Sequence, residues 1–210
     1  MAPEKFPESL EERKKRLGLA CETGIALPFF KTLEERGLFS YVVHTTKDVD
    51  RDAFKRVDFI WRLDNGSHLA IQLSTSESLS LWKEKIRQIV VGPGSRPYIE
   101  LKDIHPEPET LSRQQRLEEV LKIPLRLDWE TVDNVYKRFE ASDGQQNPFE
   151  LLPQKEELAA DLLFQAVGRL RDFSSGAFRV QGYPHLDSLA RAQYENLRQS
   201  VSKFMEKEVK

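Results

Sequence analysis

Three polar side chains between residues 58 and 74 have the types and spacing to do chemistry together. Asp58 lies near the start of one short apolar run, and Gln72 and Ser74 flank a single leucine in the next. Asp58 carries a carboxylate, Gln72 an amide and Ser74 a hydroxyl, so the three side chains form a candidate polar site. Positions 72 and 74 share one face of a strand, because side chains alternate with a period of two. The spacing therefore indicates a site built on a sheet.

The elements that must position these side chains are the two strands of a hairpin. The sequence Asp64-Asn65-Gly66 is a turn signal, since glycine takes positive φ at little cost. A two-residue loop would place Asp58 opposite Leu73 and would mix polar and apolar residues on both faces. A three-residue loop over residues 64 to 66 places Asp58 opposite Gln72, and burial of one apolar face favours this register. That apolar face contains Val57, Phe59, Trp61, Leu69, Ile71 and Leu73.

The composition limits the class of protein. The chain has 210 residues, with 32 Lys and Arg against 34 Asp and Glu, and a net charge of −2. Nonspecific coating of nucleic acid depends on excess cations, so this balance argues against that class but allows a local basic cleft. Cys21 is the only cysteine, which excludes an internal disulfide and a cysteine zinc site. We expect a soluble cytoplasmic protein without a membrane partner, because no apolar run approaches the ~20 residues of a membrane helix and the N-terminus lacks a signal-peptide core.

The segments around the hairpin predict an α+β core. Residues 20 to 36 have a helical pattern that Pro28 must kink or restart and that Gly37 ends as a left-handed cap. Residues 79 to 90 have the pattern of a second helix. We expect these helices to flank a small mixed sheet. Its predicted strands are Phe39 to Thr45, Arg56 to Leu63, Ser67 to Ser74 and Pro97 to Leu101.

The second half of the chain has the pattern of amphipathic helices. Residues 110 to 121 are predicted to be one helix, and Asp128 is a good N-cap for the next. Apolar residues recur at helical spacing towards the C-terminus, and we interpret them as helix packing surfaces. The sequence therefore predicts a core over residues 1–105 and a helical extension over residues 106–210 that packs on or beside it.

The order helix, strand, hairpin, helix, strand over roughly residues 20 to 101 resembles the PD-(D/E)xK, or restriction-endonuclease-like, nuclease superfamily. In that family an Asp begins the second strand, and the third strand carries an acidic residue, one intervening residue and a lysine. A Glu on the first helix often joins them. Asp58 matches the Asp, Gln72 stands at the acidic position, Ser74 stands at the lysine position, and Glu22 is the candidate helical Glu. The resemblance implies a restriction-endonuclease-like core, Mg2+ as a cofactor held by Asp58 and Gln72, and nucleic acid as partner.

Two of the three signature positions are changed, and both changes weaken the implied chemistry. Gln72 offers a carbonyl oxygen without a charge, so Mg2+ affinity should be weak. Ser74 is short and neutral, so it cannot stabilise charge on a phosphate or help activate water as a lysine would. Lys83 and Lys85, on the following helix, are candidates for a migrated catalytic lysine. A solvated helix face is the ordinary interpretation of both.

Other residues give weaker signals. The four histidines lack the spacing of a metal site. Arg169, Arg171 and Arg179 have the charge to contact phosphates, although a charged helix end explains them equally well.

Three functions remain open. The first is a nuclease-fold protein whose degenerate site is weakly active or inactive, and which binds a nucleic acid or a protein. The second is an active Mg2+-dependent nuclease whose catalytic lysine has migrated. The third is a helical interaction or assembly protein in which the α/β part is scaffold. We expect the first, because both the charge pair and the lysine are altered. The sequence does not indicate an oligomeric state.

Overall fold

The structure of the protein is a computed structural model. It describes residues 18, 21–44, 57–76, 79–91, 98–100, 119–142, 150–152, 155–176 and 185–208. A π-helical segment covers Cys21–Ala26, and the α-helices are α1 (Leu27–Glu35), α2 (Leu79–Val91), α3 (Trp129–Ala141), α4 (Lys155–Ser174) and α5 (Leu186–Glu208). The strands are β1 (Phe39–His44), β2 (Phe59–Leu63), β3 (His68–Ser76), β4 (Tyr98–Glu100) and β5 (Glu119–Asp128).

A mixed sheet with strand order β1-β2-β3-β5-β4 organises the described residues. Strands β1, β2 and β3 form an antiparallel meander, β5 runs parallel to β3, and β4 is antiparallel to β5. The parallel pair needs a crossover connection, and α2 lies in it. The predicted α+β class is therefore confirmed, with a small mixed sheet, flanking helices and a helical C-terminal half. Within the described residues, no helix combines the length and apolar character needed to cross a membrane.

The β2–β3 register is the predicted one. Phe59 faces Ile71 and Trp61 faces Leu69. Gly66 has a φ of 87°, so the left-handed position that closes the three-residue loop is occupied by glycine. The predicted register is therefore confirmed for the residues of β2.

The helix before the sheet begins and ends as its sequence predicts. The π-helical segment stops at Ala26, and Pro28 lies in the first turn of α1, where its missing N–H is not needed. Gly37 follows with a φ of 83°, and its N–H donates to the Glu34 carbonyl at 2.9 Å. Pro28 therefore restarts the helix, and Gly37 lets the chain turn into β1.

The main core lies between the apolar face of the hairpin and the helices. Phe30 of α1 packs edge-on against Phe59 and Trp61, with ring centroids 5.0 and 4.8 Å away. The same buried cluster extends to residues of α4 and α5, so these helices pack on the sheet. On the opposite face, the facing pair Ile60 and Ala70 belongs to a smaller buried cluster.

Strand β5 corrects the sequence analysis. The sequence predicts a helix up to residue 121, but the structure has a strand from Glu119 and pairs it with β3 and β4. Residues 110–118 of that predicted helix lie outside the described residues. Strand β5 comes from the part of the chain assigned to the helical extension, and the division at residue 105 stays a prediction. The buried alternating residues of β5 are Leu121, Ile123, Leu125 and Leu127.

Pro124 explains why this strand is difficult to recognise, since proline is rare inside a sheet. Successive N–H groups of a strand point to alternate sides, so the Pro124 nitrogen lies on the same side as that of Arg126. The Arg126 N–H donates to the Gln165 side chain at 2.8 Å, not to a strand. Proline is tolerated because the ladder with β3 runs along the other side.

The helix after β5 confirms the predicted N-cap. The Asp128 Oδ2 accepts the Thr131 N–H at 3.1 Å, which satisfies one of the unpaired donors at the start of α3.

Candidate functional site

The Asp58 region, which consists of Glu22, Asp58, Gln72 and Ser74, is the site predicted from the sequence. The Asp58 N–H donates to the Ile71 carbonyl at 2.8 Å, although Phe59 is the residue that faces Ile71. Asp58 and Phe59 therefore both oppose Ile71, as in a β-bulge, and the predicted pairing of Asp58 with Gln72 is wrong. The Asp58 Oδ2 accepts the N–H of buried Leu73 at 2.6 Å. The carboxylate thus replaces a backbone acceptor where β2 stops pairing regularly.

Glu22 reaches the same end of the sheet from the π-helical segment. Its Oε2 is 3.8 Å from the Nε2 of His44, whose ring packs against Phe59. Burial raises the pKa of the Cys21 thiol, and the negative charges of Glu22 and Asp58 raise it further. Both carboxylates therefore act on one buried thiol.

Gln72 and Ser74 lie on β3, between β2 and β5. Gln72 faces Pro124 and Ser74 faces Arg126 across the parallel pair. The Gln72 Oε1 is buried and has no hydrogen-bond partner among the described residues. The Ser74 hydroxyl donates to the carbonyl of the next residue at 3.4 Å. Because buried polar atoms are usually paired, the Gln72 oxygen retains unused acceptor capacity.

The candidate migrated lysines lie on α2. Lys83 lines a cavity of about 770 Å3, whereas Asp58, Gln72 and Ser74 are not among the described residues that line it. Lys83 therefore faces a different space from the predicted metal ligands. Lys85 lies on the same helix, and its side chain is outside the described part of the chain.

Lys122 of β5 is a residue that the sequence analysis missed. It faces Ala70 and is only 4% exposed. Since facing residues share a side of the sheet, Lys122 lies diagonally next to Gln72 on the same face as Ser74. A lysine is almost never fully buried without a partner, and Lys122 does interact with another group. In the sequence, Lys122 stands between the apolar residues Leu121 and Ile123, and this position was the signal that could have indicated a lysine on a buried strand.

The Asp58 region thus combines carboxylates, an uncharged amide and, on the neighbouring strand, a buried amine. Among the described residues, no group of three or more His, Cys, Asp or Glu side chains is placed to hold a metal ion. No family model, curated protein or solved structure matches this chain.

Proposed function

We propose that this chain is a PD-(D/E)xK-like protein whose degenerate site is weakly active or inactive, and that it serves as a nucleic-acid- or protein-binding module. The observation that carries the proposal is the 2.6 Å hydrogen bond from the Leu73 N–H to the Asp58 Oδ2. The carboxylate that the resemblance assigns to Mg2+ helps to complete the hairpin instead.

The order of elements supports the nuclease-like fold. A helix, a three-stranded meander and the crossover helix α2 follow one another as the resemblance implies. The strand that returns beside β3 is β5, and β4 adds to the outer edge of β5. Asp58 directly precedes β2 and Gln72 lies on the adjacent β3, which supports the site that the resemblance implies.

The charges of the site support loss of catalysis. Each missing carboxylate removes attraction for a divalent cation, and position 72 carries an amide. We therefore expect no tight Mg2+ site in the free protein. Calorimetric titration with Mg2+ checks this expectation. Micromolar binding that disappears in both Asp58→Ala and Asp58→Asn would contradict it.

A second candidate, an active Mg2+-dependent nuclease, is favoured by Lys122. A buried amine on β5, next to Gln72, has the charge that Ser74 lacks. In this version Lys122 takes the role of the migrated lysine, in place of Lys83 or Lys85.

A cleavage assay decides between the two candidates. Purified wild-type protein is incubated with single- and double-stranded DNA in Mg2+ or Mn2+, and we expect negligible cleavage. The pair Gln72→Glu with Ser74→Lys should create measurable metal affinity, because it restores a carboxylate and a cation on one strand face. Anisotropy with labelled DNA measures binding separately, and binding without cleavage is the result expected of a nucleic-acid-binding module.

The variants for this assay need a folded control. Asp58→Asn keeps an oxygen for the Leu73 N–H, so it tests metal binding with the least damage to the hairpin. Lys137→Met removes an exposed lysine of α3 and is the control for Lys122→Met. Robust cleavage by wild type, lost in Asp58→Asn and Lys122→Met but kept in Lys137→Met, would establish the second candidate.

A further inference from the structure

A cavity separate from the Asp58 region lies between α2, the carboxyl end of β5 and α4. Its volume of about 770 Å3 is within the range of small-molecule sites. In sheets with parallel strands, ligands bind beyond the carboxyl ends of the strands, and this cavity lies at that end of the β3–β5 pair. The residues that give it its character are Trp82, Lys83, Arg87, Arg126, Gln165 and Arg169. We call it the cationic cavity.

Two cations of α2 line this cavity. Lys83 and Arg87 are exposed, and neither makes an ion pair or hydrogen bond with a described residue. They lie four residues apart, so their side chains share one face of the helix and their like charges repel each other. An anion between them would relieve this repulsion.

A third cation faces them from α4. The Arg169 guanidinium lies 5.9 Å from the centre of the Trp82 ring, at the outer limit of a cation–π contact. Its Nη1 is 3.4 Å from the Asp172 Oδ2, a long contact that engages one of five donors. Among the described residues, most of the bonding capacity of this guanidinium is therefore unused, and its buried Nε has no partner there.

The carboxylates of the same cavity are already engaged. The Asp128 Oδ2 caps α3, and its Oδ1 lies 3.2 Å from the Arg126 Nη2. Asp161 accepts a hydrogen bond from the Gln165 amide at 2.7 Å, and Glu84 also has a partner. The described lining carries four cations against three carboxylates, so its charge is slightly positive, and the cations Lys83 and Arg87 have no partner among the described residues.

We propose that the cationic cavity binds a phosphate-bearing small molecule of nucleotide size, and that Lys83, Arg87 and Arg169 contact its phosphate oxygens. Arginine forms paired hydrogen bonds with phosphate, and lysine adds a mobile point charge. The proposal does not rest on the nuclease-like function, because no residue of the Asp58 region is among the described residues that line this cavity.

Calorimetric titration of the full chain tests the proposal. The probes are inorganic pyrophosphate and adenosine 5′-diphosphate, with adenosine as the phosphate-free control. We expect saturable binding of both phosphates at one site and none of adenosine. The pair Lys83→Gln with Arg87→Gln should weaken binding at least about tenfold, since each substitution removes a charge-assisted hydrogen bond.

Two further variants keep the test specific. Arg171→Gln removes an exposed arginine of the same helix as Arg169, outside the described lining of the cavity, and should leave the affinity unchanged. Arg169→Lys keeps the charge without the planar fork and should weaken binding by an intermediate factor. The proposal is overturned if neither phosphate binds up to millimolar concentration, if adenosine binds equally well, or if Arg171→Gln weakens binding as much as the double variant.

Discussion

The Asp58 region and the cationic cavity differ in how far their charged groups are already satisfied. In the Asp58 region, the carboxylate of Asp58 accepts a strand N–H and the Glu22 carboxylate lies near an imidazole. In the cavity, Lys83 and Arg87 make no bond to the described residues. The family motif identified Asp58, but its carboxylate is already hydrogen-bonded within the fold. Lys83 and Arg87 match no motif, yet their charged groups can still bind a ligand.

The largest effect should come from comparing two glutamines. Gln193 of α5 accepts the Leu121 N–H at 3.3 Å and donates to the His68 carbonyl at 2.8 Å, so it bridges β3 and β5 where their ladder begins. Gln193→Leu leaves two buried backbone groups unpaired and should lower the free energy of unfolding by at least about 2 kcal/mol. Gln72→Leu should cost much less, because the Gln72 Oε1 has no partner among the described residues. Urea denaturation measures the free energy of unfolding of both variants. Equal decreases would show that the hydrogen bonds of Gln193 do not distinguish it from Gln72.

A smaller effect is expected at Asp58. Asp58→Ala removes the acceptor of the buried Leu73 N–H and should destabilise the protein by about 1–3 kcal/mol. Asp58→Asn keeps an acceptor oxygen and should retain most of the stability. The free energy of unfolding of the two variants checks this. If Asp58→Ala were neutral, the carboxylate would not support the fold, and its assignment as a metal ligand would gain weight.

Asp64, in the turn after β2, is a carboxylate with structural partners and can be compared with Asp58. The Ser200 hydroxyl donates a hydrogen bond to it, and the Lys203 Nζ lies 3.4 Å away. The hydrogen bond and then the lysine charge hold the pKa of Asp64 below its usual range. A carboxyl with a lower pKa in the folded state adds stability above its unfolded pKa of about 3.9, and this stability is lost as the pH falls through the folded value.

We therefore expect Asp64→Asn to lower the melting temperature at neutral pH. The difference from wild type should shrink as the pH falls below about 3.9, because wild-type Asp64 then becomes protonated as well. Melting curves of the two proteins between neutral and acidic pH provide the measurement. A difference that stays constant over this range would show that the carboxylate charge is not responsible.

The smallest effect on stability is expected in the cationic cavity. Lys83→Gln with Arg87→Gln should change the free energy of unfolding by less than about 0.5 kcal/mol, because both side chains are exposed and unpaired among the described residues. Together with weakened phosphate binding, this result would separate a binding role from a structural one. A loss comparable to that of Asp58→Ala would remove the contrast between the two regions.

The parts of the fold that depend on neighbouring residues could be predicted from the sequence. Apolar alternation and Gly66 determine the hairpin register, and Pro28 and Gly37 mark where α1 begins and ends. Each of these sequence signals lies within a few residues of the structural feature that it predicts. The bulge at Asp58 does not belong to this class, because the alternating pattern predicts Asp58 opposite Gln72 and not opposite Ile71.

The parts that depend on distant segments could not be predicted in the same way. Strand β5 pairs with β3 across a long crossover, and Pro124 argues against a strand when the sequence is taken alone. The residues that line the cationic cavity come from α2, β5 and α4. No single stretch of the sequence therefore contains a motif for this site. Arg169 and Arg171 cannot be distinguished from the sequence. The packing of α4 shows that Arg169 lines the cavity and that Arg171 is not in its described lining.

Cys21 gives this protein a built-in reporter of local opening. A thiol reacts with an alkylating reagent as its thiolate, and burial with two neighbouring carboxylates keeps Cys21 protonated. Reaction should therefore require the π-helical segment to open and expose the sulfur to solvent. The dependence of the alkylation rate on denaturant would then give the free energy of that opening. It would show whether this segment separates from the sheet by itself or only when the whole domain unfolds.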